Sequence, residues 1–146
     1  MLRNQRLHIV VLAAVFVSGF VLGNVVELPD VVQAQSSGVY ELRTYTSPEG
    51  KLGDLQKRFR DHTIRIFERH GMQNIGYFVP ADAPLSENTL IYILKHDSRE
   101  AAKQSWDDFR VDAEWQHAYE ESERDGRLAS NVESVFMTAT DFSPMK

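Results

Sequence analysis

The chain has no cysteine. That excludes disulfides, thiolate zinc sites, thiol nucleophiles and a lipid-modified cysteine after a leader. It also lacks a basic surplus: 16 Lys and Arg stand against 21 Asp and Glu, a formal net charge of -5. Residues 1–34 carry two of each sign (Arg3, Arg6, Glu27, Asp30), so the remainder keeps the whole deficit. Sequence-independent nucleic-acid binding needs Lys and Arg to displace counterions, so no nucleic-acid partner is expected. No nucleophile elbow, phosphate loop or zinc motif is present. The acidic set Asp107, Asp108, Asp112 and Glu114 has neither the alternating oxygens nor the glycine of a calcium loop. It reads as a solvated helix face, and no metal is expected. The 25% charged and 42% hydrophobic fractions are those of an ordinary folded protein, and 146 residues suit one domain.

The first 34 residues read as an address. A short basic start with Arg3 and Arg6 precedes an apolar run from Leu7 to Gly23, interrupted by His8, Ser18 and Gly19. Val32-Gln33-Ala34 offers small residues at the -3 and -1 positions for cleavage after Ala34. The interval from Gly23 to Ala34 is long for a signal peptide, and the apolar run sits at the lower limit, about 17 residues, for a membrane span. Residues 1–34 are therefore expected to be a signal peptide or an N-terminal membrane anchor. Arg before the run orients the following domain outside the cytoplasm in either case. The expected location is exported, periplasmic or secreted, or membrane-anchored through this segment alone.

Residues 35–38 form a polar linker, and the folded domain is expected over 39–144. Val39 to Thr46 has a strand's composition, with Tyr40, Leu42 and Thr44 on one face and Glu41, Arg43 and Tyr45 on the other. Ser47-Pro48-Glu49-Gly50 is turn chemistry that leads into a helix from Lys51 to His70. With Leu52 at 0° and about 100° per residue, Leu55, Phe59, Thr63 and Ile66 fall in one stripe, with His62 and His70 within or beside it. Gly71 follows as a left-handed cap. Met72 to Pro80 and Thr89 to His96 read as strands two and three, the latter so apolar that an interior position is expected. Asp97 to Glu100 resembles a capping box. The next helix carries Ala102, Ser105, Trp106 and Phe109 on one stripe. It is expected to bend or break at 111–113, before a second stripe of Trp115, Ala118, Tyr119 and Ser122. Ser130 to Thr140 reads as the last strand. The order predicts an α+β ferredoxin-like β-α-β-β-α-β sandwich with helices on one sheet face only. The other face would then be covered by a second copy, giving a homodimer with space between two sheets.

VYELRTYT (39–46), GKLGDLQKRFRDHTIRIFERHGM (50–72), IGYFVP (75–80), LIYILKHDSREAAKQSWDDFRVDAEW (90–115), Ser122-Glu123-Arg124 and the stretch 132–144 occur together in this order. As an ordered set they resemble the NIPSNAP domain, a relative of the dimeric α+β barrel group. Tyr77-Phe78 stands where the family pattern looks like Tyr-Trp, and Ala113 stands where proline is frequent. The resemblance implies the dimeric barrel architecture; the wider group includes small-molecule oxygenases, haem-handling enzymes and ligand-binding regulators, so fold alone does not assign an activity.

Two functions follow as expectations. One is a homodimeric module binding a small apolar ligand or a protein partner. The alternative is an oxygenase- or isomerase-like enzyme acting on a hydrophobic small molecule in the barrel cavity. Candidate pocket residues are Arg43, His62, His70, Tyr77 and Trp106. His62 and His70 lie roughly 12 Å apart along a straight helix at 1.5 Å per residue, too far to share a metal ion. Each instead offers one polar group to a pocket or a hydrogen bond at the helix–sheet seam. His96 shows no haem-binding spacing and no cofactor is expected; His117 falls on the solvent side of its helix.

Overall fold

The computed structural model describes residues 38–145. The expected leader and most of the expected linker lie outside the described residues. Among those described, no helix is long and apolar enough to cross a membrane.

The elements run β1 (Val39–Thr46), α1 (Leu52–Arg58), a π-helical turn (Phe59–Thr63), α2 (Ile64–Arg69), β2 (Gln73–Phe78), β3 (Thr89–His96), α3 (Arg99–Val111), α4 (Ala113–Ser122) and β4 (Asn131–Met137). The four strands form one antiparallel sheet in the order β2-β3-β1-β4. β3 is interior, as its apolar run requires, and its burial alternates along its length. Leu90, Tyr92, Leu94 and His96 point to the helices. Ile91, Ile93 and Lys95 point away, opposite Thr44, Leu42 and Tyr40 of β1.

The core lies between the sheet and the helices. Leu52, Leu55, Phe59, Ile66 and Phe67 meet Leu90, Tyr92 and Leu94 from the sheet and Trp106 and Phe109 from α3. Aromatic rings fill the layer. Phe59 packs against Tyr45, Tyr77 and Tyr92 at centroid distances of 5.7, 5.8 and 5.1 Å, and Phe67 against Trp106 and Phe109 at 5.3 and 4.9 Å.

Two local expectations are corrected. The straight helix over 51–70 is interrupted by the π turn. An extra residue in one turn sets the following positions back by about 100°. That brings Phe67, off the stripe of a straight helix, into the core, where it is buried. The N-cap of α3 is Ser98 rather than Asp97, its hydroxyl accepting from the Ala101 amide at 3.0 Å. The Glu41, Arg43 and Tyr45 face of β1 lies under the helices, with Glu41 bonded to Trp106 of α3 and Tyr45 against Phe59. The expected break at 111–113 is found, where Asp112 ends α3 and caps α4.

Candidate functional site

β1 has to place Glu41 and Arg43 on the same side, because residues two apart in a strand share a face. The Arg43 guanidinium donates to Glu41 Oε1 at 2.8 Å. The pairing with β3 brings His96 beside Glu41, and its Nε2 lies 3.0 Å from Glu41 Oε2. Trp106 Nε1 donates to the same oxygen at 2.7 Å, and Ser134 of β4 donates to Oε1 at 2.6 Å. Glu41 is 1% exposed. Its burial would raise the carboxyl pKa, but the bonds from His96, Ser134 and Trp106 and the Arg43 charge together lower it to about 2. Arg43 also lies over the Trp106 ring, 4.2 Å from its centroid. Two nitrogens of this group, Arg43 Nε and His96 Nδ1, are buried without a hydrogen-bond partner.

Outside Trp106 a groove of about 400 Å³ runs between α3 and β4, lined by Arg99, Glu100, Lys103, Trp106, Arg110 and Phe136. Arg99 stacks over Phe136, 3.5 Å from the ring centroid. Lys103 and Arg110 each reach Asp107 at 2.6 Å. A second groove, about 390 Å³, separates α1 from α4 and includes His62 and His117. Its wall holds Arg58, buried between Trp115 and Tyr119 and donating to Ser122 at 3.1 Å and Glu123 at 2.8 Å. These contacts tie α1 to the end of α4. Among the described residues no group of three or more His, Asp and Glu is set to hold a metal ion.

Of the five residues expected to share a pocket, the structure brings together Arg43 and Trp106. His62 lies in the α1–α4 groove. His70 pairs with Asp112 at 2.8 Å, at the junction of α3 and α4. Tyr77 stacks on Tyr92 and donates to Asn74; burial, with the Glu68 carboxylate next in effect, pushes its phenol well up. Glu41 and His96 were not among the five, yet they form the centre of the buried polar group. The strand pattern shows that Glu41 and Arg43 share a face. It does not show the β1–β3 register that brings in His96.

Helices on one face of a β2-β3-β1-β4 antiparallel sheet define a ferredoxin-like domain of the dimeric α+β barrel kind. The NIPSNAP family model matches residues 40–144, and the chain belongs to the NIPSNAP family. It is similar to a NIPSNAP family protein of unknown function from Agrobacterium tumefaciens, with 25% identity over 76% of this chain and 96% of that one and a TM-score of 0.66. A second NIPSNAP family protein from the same organism gives 27%, 75%, 99% and 0.65. SnoaB, a cofactor-independent oxygenase from Streptomyces nogalater, shares the fold at 14% identity, covering 74% of this chain and 98% of its own, with a TM-score of 0.51. No curated protein matches the chain.

Proposed function

We propose that the protein is an exported homodimer whose two helix-free sheet faces meet and hold a small apolar ligand between them. One observation carries the reading. The bare face presents Leu42, Ile91, Ile93, Phe78, Val135 and Met137, with Phe78 55% and Val135 56% exposed. A contiguous apolar surface of this kind marks an interaction site. The C-terminal residues Ser143 and Met145 approach Tyr40 and Ile93 at one end of it. A protein partner is the other occupant the face would suit. The oxygenase-like alternative has the likeness to SnoaB in its favour at the level of fold alone. Aromatic rings occupy the layer beneath the helices, so a substrate chamber would also have to lie between two copies.

Native mass spectrometry of the full chain purified from its own host tests the proposal. Two subunits, a bound apolar guest and an N-terminus at Gln35, or an intact leader in the membrane fraction, are expected. A monomer without a guest overturns it.

A further inference from the structure

We infer that the groove between α3 and β4 is a binding site for a small aromatic carboxylate. The site lies on the helix side of the sheet and does not depend on the pairing of two copies.

Residues 99, 103, 106 and 110 fall at steps of four, three and four, so Arg99, Lys103, Trp106 and Arg110 form one line along α3. Phe136 of β4 closes the opposite side. The lining therefore offers two rings and three cations against one carboxylate, Glu100, in a protein whose net charge is -5. Lys103 and Arg110 share Asp107. Among the described residues Arg99 has no carboxylate at ion-pair distance and rests on the face of Phe136. A guanidinium on a ring is already arranged to take a second planar group and its charge.

Both rings of the groove rest on the buried polar group. Behind Trp106 lies Arg43, and beside Phe136 lies His96, its ring centroid 6.1 Å away. The Trp106 Nε1 bond to Glu41 anchors that ring from behind, and Arg99 at the surface of the groove is left to meet the ligand's charge. A volume of about 400 Å³ suits one or two fused rings. The rings argue against inorganic anions, and the cations argue against neutral aromatics.

Isothermal titration of the full chain with three probes tests this: 2-naphthoate, the neutral 2-naphthalenemethanol, and the non-aromatic cyclohexanecarboxylate. One naphthoate per chain is expected, half-saturating below about 1 mM. The other two probes should bind at least ten-fold more weakly. Arg99→Gln should weaken naphthoate at least ten-fold with an unchanged melting temperature, whereas Arg124→Gln, remote from the groove, should leave binding unchanged. Absence of saturation, equal affinity for the three probes, or unaltered binding by Arg99→Gln overturns the assignment. So does displacement of naphthoate by an acidic peptide of higher affinity, which would make the groove a protein-docking surface.

Discussion

Glu41 is the residue on which charge and packing meet. Its side chain is sealed from water and held by four donors from β1, β3, α3 and β4. The native carboxyl, at about 2, lies below its ordinary value of 4.5, so the unfolded chain takes up a proton first as pH falls. The contribution to stability is therefore fully present above pH 4.5 and is lost between there and about 2. A shift of this size corresponds to roughly 3 kcal/mol. Glu41→Gln keeps the shape but leaves Arg43 without its counter-charge, at an expected cost of about 3–5 kcal/mol near neutral pH. Urea unfolding at pH 7, 4 and 3 checks both points. The wild type should lose part of its margin over the variant at pH 3, and an unchanged gap would refute this account. The sequence makes the strand and the shared face of Glu41, Arg43 and Tyr45 legible. It cannot say which face the helices cover, because all three side chains are amphipathic enough to sit on either.

At the scale of elements, the joint between α3 and α4 depends on Asp112. Its carboxylate accepts from the Glu114 and Trp115 amides at 2.9 and 3.0 Å, capping α4, and also pairs with Arg69 at 2.7 Å and His70 at 2.8 Å. Burial would raise its pKa; the Trp115 amide, His70 and Arg69 pull it well below the usual carboxylate range. Asp112→Ala should cost about 1–2 kcal/mol for the cap alone. Asp112→Asn keeps an acceptor for the amides and should lose less, a difference that thermal unfolding of the two variants resolves. This break was readable because a polar residue interrupts an apolar stripe. The π turn was not, since the straight-helix pattern over Leu52, Leu55, Phe59 and Ile66 is already regular, and the mismatch surfaces only in the burial of Phe67. If the turn is one residue inserted into a helix, deleting the exposed Arg60 restores the α-helical count and keeps Phe67 in the core. That deletion should melt closer to wild type than deletion of the partly buried Gln56 in α1, followed by circular dichroism. The reverse order would mean that the π geometry itself is needed for packing.

For the whole molecule, the ferredoxin-like plan, the interior place of β3 and the one-sided helix layer followed from the order of elements and the apolar run of β3, which leave few ways to bury the apolar faces. The candidate pocket was less legible, because five residues spread from β1 to α3 meet only if packing brings them together, and the structure puts His62 in the α1–α4 groove, His70 on Asp112 and Tyr77 on Tyr92. What alternation does predict is a sheet with two unlike sides, and the structure has them: one packed with aromatic rings, the other carrying Leu42, Ile91, Ile93 and Val135 without helices. If two copies pair through that side, as proposed, folding is coupled to association, because a partner that binds the native state alone stabilises it by mass action. Raising the protein concentration a hundred-fold should then raise the melting temperature by several degrees. Ile93→Glu places a charge in the middle of the face, opposite Leu42, without touching the helix-side core. It should abolish the concentration dependence and sediment as a monomer that still unfolds cooperatively. A wild-type melting temperature that ignores concentration, together with monomeric sedimentation, would leave the bare face without a second copy and would favour a different protein as its cover.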